Sequence, residues 1–349
     1  MRKVPLLSRL TILAILCLLT ACGGGNAQGP TASSRQTGDV VTEEFFLTAR
    51  DDDLKLYLRN KHPADYYSGK SDRTILLLHG ALFPGSSTFD LAIDGVSWMD
   101  WLAKRGFDVY ALDVRGYGKS SRPAAMKQEN GANPIVDTTV AVRDVSKAVD
   151  FIASRRSLDK LSIVGWSWGA SLAGLYANEA PSRIDRLVLL APQWLRDVAP
   201  NAEMPKPTTW RSIPYSVLRD RLLEGEGPKM HPSTIDAWLN ALKASDPDGA
   251  SQNPPVLKVP GGAYGDMVRH WTANHPLWSP DHIHAPVLII QGDGDTDITP
   301  DMSLSVFALL TNSPARRFLL MGDANHPMML EKNRQQLFRV IQAFMDEKF

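Results

Sequence analysis

Residues 161–172 are the most restrictive passage in the chain. An apolar run, LSIVGW, leads into Gly165-Trp166-Ser167-Trp168-Gly169, and small residues follow at once, Ala170 and Ser171. The run has the length and continuous apolarity of a strand buried on both faces. Glycine two residues before and two residues after the serine removes the side chains that would collide in a sharp strand-to-helix turn. A serine at the apex of such a turn is lifted above the sheet edge. The N-terminal end of the following helix then points its partial positive charge at whatever the serine touches. This passage predicts an α/β layered fold.

The rest of the chain keeps the same rhythm. RTILLLH (73–79), FDVYALD (107–113), RLVLLAP (186–192), PVLIIQG (286–292) and RRFLLMG (316–322) are further apolar runs. Helical spacing occupies 96–106, 138–154, the segment after Ser171, SLSVFALL, and 330–346. Strand–helix alternation of this kind argues a parallel sheet with helices on both faces. EEFFLT and LKLYLRN, on either side of Asp51-Asp52-Asp53, read as a hairpin ahead of it. About 90 residues, 193–285, break the rhythm and are rich in Pro and Trp. A structureless loop of that length is improbable inside a compact domain, so the segment reads as an inserted, mainly helical cap over the C-terminal edge of the sheet. The predicted core is therefore 43–192 and 286–349.

The chain's 38 basic and 38 acidic residues balance to a formal charge of zero and are well mixed, which gives nucleic-acid binding no support. The N-terminus is read apart from the fold. Arg2, Lys3 and Arg9 precede a short apolar run, LTILAILCLL (10–19), which falls short of the ~20 residues a membrane span needs. It ends at Leu19-Thr20-Ala21-Cys22, which resembles the lipobox of bacterial lipoprotein signal peptides. Residues 1–21 are then a signal peptide, Cys22 the lipidated residue and membrane anchor, and 22–42, rich in Gly, Ser and Thr, a flexible tether. The expected location is a bacterial cell envelope, at the outer membrane if the host is Gram-negative. The only cysteines are Cys17 and Cys22, so the mature protein has no thiol for a disulfide.

Ser167 as a nucleophile needs a base, an acid to orient the base, and two N–H donors for the developing oxyanion. His326, in Gly322-Asp323-Ala324-Asn325-His326-Pro327 after the last apolar run, is the one histidine placed to swing over the turn. The acid lies in Gly292-Asp293-Gly294-Asp295-Thr296-Asp297. Spacing from Gly292 favours Asp295, with Asp297 second and Asp293 third. The oxyanion donors fall to the backbone of Trp168 and of Ala81, with Leu82 the alternative to Ala81. His79 reads as a loop brace. His282 and His284 form an H-x-H pair without an evident third ligand, so neither a metal nor another cofactor is expected.

In this order the marks resemble the α/β-hydrolase superfamily: the His79–Ala81 loop, Asp113-Val114-Arg115-Gly116-Tyr117-Gly118-Lys119-Ser120, the Ser167 turn, the acid loop and the His326 loop. The resemblance implies about eight mostly parallel strands, the second antiparallel, under a cap, and acyl transfer through a covalent acyl-enzyme. Haloalkane dehalogenase and epoxide hydrolase relatives carry Asp where Ser167 stands. Proline iminopeptidases share the Ser-Trp-Gly turn but have a longer H-G-G-P loop, which Ala81-Leu82 do not match. The expectation is a carboxylic ester hydrolase acting on small or medium esters. Aminopeptidase, lactonase and C–C bond hydrolase are alternatives on the same residues, and a non-catalytic lipid-anchored binding protein is the alternative of another class. The cap's Trp194, Trp210, Trp238, Trp271 and Trp278 either line an apolar acyl or aryl pocket or pack the cap onto the sheet.

Overall fold

The computed structural model describes residues 39–51, 53–66, 71–196, 204–223 and 229–349. The apolar leader, Cys22 and most of the tether lie outside them. None of the described helices is long and apolar enough to cross a membrane.

Along the chain, β1 (Val40–Thr48) and β2 (Lys55–Pro63) form the expected hairpin, and β3 (Thr74–Leu78) follows. Next come α1 (Gly85–Phe89), α2 (Trp98–Ala103), β4 (Asp108–Asp113) and α3 (Thr138–Arg156). β5 (Leu161–Trp166), α4 (Trp168–Glu179) and β6 (Ile184–Leu190) close the first half of the core. The inserted segment holds β7 (Trp210–Pro214), α5 (Tyr215–Leu223), α6 (Pro232–Ser245), α7 (Pro247–Ala250), β8 (Val256–Pro260) and α8 (Gly262–Asp266). β9 (Val287–Gly292), α9 (Pro300–Leu309), β10 (Arg316–Met321) and α10 (Arg334–Asp346) complete the core.

Eight strands make one sheet in the order β1-β2-β4-β3-β5-β6-β9-β10. β2 runs antiparallel to both neighbours and the other pairings are parallel, as expected. Every residue of β3, β4, β5 and β9 is buried, so these runs need no alternation. Chain order reverses at β3: β4 lies on one side of it and β5 on the other. Connections leave in opposite directions there and open a crevice at the strands' C-terminal ends, where ligands of open α/β sheets bind.

Two boundaries differ from the sequence reading. β1 begins at Val40, paired with Pro63, three residues before the core boundary expected at 43. Val40, Val41 and Thr42 are β-branched and prefer the extended strand. The cap is mostly helical but also contains a two-stranded antiparallel sheet, β7 with β8. Its strands lie about 40 residues apart in the chain and no hairpin turn joins them, so no local signal announced the pairing.

The cap's tryptophans mostly pack. Trp238, Trp271, Trp278 and Trp194 are all at most 3 % exposed. Trp278 lies against α4, where a Cβ on Gly174 would meet its ring at 2.5 Å. Trp194 meets Trp271 and Trp278 at ring separations of 5.7 and 4.8 Å. Burying roughly 200 Å² of indole at about 25 cal/mol per Å² contributes ~5 kcal/mol each, an upper figure before ordering costs. Trp194 also lines the cavity described next.

Candidate active site

The turn after β5 is strained. Ser167 sits at φ 57° and ψ −119°, a conformation non-glycine residues rarely adopt. Strain of this kind costs on the order of 1–3 kcal/mol and persists only where the surroundings over-determine it. Here three backbone hydrogen bonds do so. Ser167 N–H donates to Leu190 (2.8 Å), and the Ser167 carbonyl accepts from Ala170 (3.0 Å) and Gln193 (3.3 Å). The flanking glycines permit the approach: a Cβ on Gly165 would lie 2.3 Å from the Gly169 carbonyl, and one on Gly169 2.2 Å from that of Leu78. Gly80 serves the same end, since a Cβ there would come within 3.2 Å of the Ser167 Cβ.

The loop after β3 brings Ala81 to the same place, and His79 fixes it. His79 Nδ1 donates to the Gly80 carbonyl (2.7 Å) while Nε2 accepts from Val114 N–H (3.2 Å). Those two partners define one neutral tautomer. Burial, which pushes the imidazole pKa down, keeps it neutral. The Ala81 carbonyl accepts from Tyr117 (3.0 Å). Among the described residues the N–H groups of Ala81, Leu82 and Trp168 donate no hydrogen bond. The Trp168 ring is turned away, with Nε1 donating to Thr138 Oγ1 (2.9 Å). Asp113 braces the loop from below, accepting from the Ser86 N–H and hydroxyl (2.8 and 2.7 Å) and from Lys119 N–H (3.0 Å).

His326 Nδ1 lies 2.8 Å from Asp295 Oδ2. The other Asp295 oxygen accepts from the Asp297 and Ile298 N–H groups (2.9 and 3.0 Å). Burial alone would push the His326 pKa down; the charge and hydrogen bond of Asp295 outweigh it and hold the imidazole above the ordinary histidine value. The other two acids of the loop do different work. Asp293 accepts from Ala324 N–H (3.2 Å), and Asp297 pairs with Arg221. Trp166 Nε1 donates to the His326 carbonyl (2.9 Å), which ties the histidine loop to β5. Glu331 carries the turn before it: Asn325 N–H reaches both its oxygens (3.0 and 3.1 Å). Burial pushes the Glu331 carboxyl up to about 7.

Ser167 and His326 open onto one cavity of about 280 Å³. No hydrogen bond joins Ser167 to His326 among the described residues; such contacts often tighten only when substrate arrives. Gly80, Ala81, Trp166 and Pro327 line the cavity from the sheet side, and Leu218, Leu222, Tyr264 and Met267 from the cap. Three guanidiniums also face it, from Arg196, Arg211 and Arg221. The sequence reading missed all three, because they lie in the stretch without periodicity. Asp295, Asp297 and His326 are also the one group among the described residues close enough to share a cation, with ligand atoms within 4.8 Å. Within it His326 Nδ1 is bonded to Asp295 and Asp297 is paired with Arg221. His282 and His284 are exposed and belong to no such group among the described residues.

A crevice at a strand-order reversal, a strained serine and an Asp–His pair on one cavity are what known relatives can be compared on. Residues 73–333 match the alpha/beta hydrolase fold family, and the chain belongs to that family. It is 29% identical over 131 residues to the abhydrolase domain-containing protein abhd-5.2 of Caenorhabditis elegans, covering 35% of this chain but only 27% of that protein. A proline iminopeptidase of Lactobacillus delbrueckii subsp. bulgaricus is 23% identical, over 75% of this chain and 86% of its own. Among solved structures, 2-hydroxy-6-oxo-6-phenylhexa-2,4-dienoate hydrolase from Rhodococcus sp. strain RHA1 aligns with a TM-score of 0.58 at 17% identity, over 88% of this chain and 99% of that one.

Proposed function

We propose that the chain is a serine hydrolase that cleaves carboxylic esters through an acyl-enzyme on Ser167. The observation that carries this reading is a serine held at φ 57° on the wall of the cavity that His326 also faces, with Asp295 hydrogen-bonded behind the imidazole. Ser167 Oγ attacks the ester carbonyl carbon as His326 Nε2 takes its proton. The carbonyl oxygen gains charge and is met by the free N–H groups of Ala81 and Trp168. The tetrahedral adduct collapses, the C–O bond to the alcohol breaks, and the proton passes from His326 to that alcohol. Water then enters by the same steps, releasing the acid and restoring Ser167. Asp295 holds the Nδ1–H tautomer and stabilises the imidazolium that forms in between.

Likeness to a proline iminopeptidase keeps a peptidase in view. The cavity argues against it. An aminopeptidase substrate brings a protonated amine, and among the described residues the single acid lining the cavity is Asp297, already paired with Arg221 beside two more arginines. The test is labelling by a fluorophosphonate, which needs an activated serine. Wild-type protein should label and Ser167→Ala, equally folded, should not. Labelling that survives in Ser167→Ala would remove the mechanism.

We also propose lipid attachment at Cys22, on the strength of the Leu19–Cys22 pattern alone. Two or more acyl chains suffice for stable anchoring. In a bacterial host Cys22→Ser should release the protein from the membrane fraction or stall the precursor; unchanged fractionation would end this reading.

A further inference from the structure

The three arginines of the cavity differ in what they are bound to. Arg221 is spent on the Asp297 carboxylate. Arg196 donates to the Asp297 backbone carbonyl (2.9 Å) and lies 3.8 Å from Met267 Sδ. Arg211, on β7, forms no hydrogen bond or ion pair among the described residues. Its guanidinium lies over the Tyr264 ring, 4.7 Å from the centroid. Among the described residues the titratable groups that act on it are Tyr264, Tyr117 and Arg221, and none of them supplies a negative charge at neutral pH.

A guanidinium drawn into a cavity needs acceptors for five N–H donors, and an aromatic face satisfies its charge but not those donors. Leaving it unpaired is costly, and burial indeed pushes the Arg211 pKa down. Among the described residues one acid, Asp297, lines the cavity with three arginines, so its described lining carries an excess of positive charge. Arg211 enters from the cap and Ser167 from the sheet edge, so the Arg211 site and the carbonyl site engage different parts of one ligand.

We infer that the substrate carries an anionic oxoacid group, a carboxylate or a phosphate, separate from the scissile ester, and that Arg211 binds it. The inference deepens the serine-hydrolase reading and depends on it only for what happens at the other end of the ligand. A planar carboxylate or a phosphate can accept two parallel N–H bonds from one guanidinium, which orients the ligand as well as holding it. Leu218, Leu222 and Met267 line the same cavity, and their apolar side chains suit a short hydrocarbon spacer.

Calorimetry on the full chain with hexanoate, hexyl phosphate and hexanamide tests the site without any catalysis. The better anion should bind roughly 10- to 100-fold tighter than the neutral amide. In Arg211→Gln that ratio should fall to near one, with the melting curve confirming a folded protein. Which anion wins identifies the group. A wild-type protein that binds all three alike overturns the inference whether or not the variant folds, and so does an Arg211→Gln protein that keeps the preference. Anion binding by a protein that no fluorophosphonate labels would retain this site and remove the hydrolase reading. Labelling without anion preference would do the reverse.

Discussion

The sheet edge and the cap meet across one cavity but are built by different means. On the sheet side the groups are set by backbone: the φ of Ser167, the glycines at 80, 165 and 169, and the amides around Asp295. Most of its loops are tied by hydrogen bonds, and among the described residues the N–H groups of Ala81, Leu82 and Trp168 beside Ser167 are left open. On the cap side the wall is made of side chains, Arg211, Leu218, Leu222, Tyr264 and Met267, and Arg211 is left open. A wall set by backbone fixes where atoms react and tolerates little change. A wall of side chains fixes what fits and can change without disturbing the chemistry.

That contrast breaks if edge substitutions act on some substrates only, or if cap substitutions stop turnover of all. The largest effect belongs to Asp295→Asn, which should lower kcat on any ester by roughly 10³- to 10⁴-fold by losing the tautomer and the charge behind His326. Asp297→Asn, which releases Arg221 rather than His326, should cost far less. Because His326 must be neutral to accept a proton and Asp295 raises its pKa, the acid limb of the wild-type rate profile should have its midpoint above the ordinary histidine value. The residual activity of Asp295→Asn should titrate at lower pH. An acid limb that does not move between the two proteins would separate Asp295 from the base.

A smaller effect lies in stability. Glu331 has a folded pKa of about 7 against 4.5 for a free side chain. The folded state therefore holds a proton that the unfolded chain has released. Stability from this group is full below about pH 4.5 and is lost as pH rises through 7, a change on the order of 3 kcal/mol. Glu331→Gln keeps an acceptor for Asn325 and should flatten the melting temperature across that window. An unchanged slope would show that the histidine loop does not carry this cost.

The smallest effect comes from the cap's apolar wall. Over a series of neutral p-nitrophenyl esters, kcat/KM should rise about fourfold per methylene, at ~0.8 kcal/mol each, and then fall once the cavity is full. The optimum should lie at short to medium acyl length, and Leu222→Ala should move it longer. A rise that continues to long chains, with activation at an oil–water interface, would make the cap a mobile lid.

The same division decides what was legible in the sequence. Buried strands such as LSIVGW and PVLIIQG advertise themselves by unbroken apolarity, and their alternation with helical segments gave a parallel sheet. Ser167 stands directly after such a strand, where register is counted from a fixed end; His326 follows β10, a largely exposed strand, and was found by its place in the loop after the last strand. Asp295 was harder, since three acids share its loop and only their hydrogen bonds separate them. Arg196, Arg211 and Arg221 left no trace: an arginine turned into a cavity and one turned to solvent have the same neighbours in sequence. The pairing of β7 with β8 was hidden for a related reason, because its partners are remote and no turn between them marks the register.

The strand order also sets a timetable. Ser167 precedes His326 in the chain by 159 residues, and at roughly 5–20 residues per second that is on the order of ten to thirty seconds of synthesis. Throughout that interval the nascent serine has no imidazole to deprotonate it. The sheet's right-hand half must wait as well, since β6 pairs with β9 and Leu187 meets Val287 across the whole inserted segment. Under the proposed mechanism the nucleophile is made early and armed last, so an unfinished chain, or one cut anywhere before its final loop, should be chemically inert.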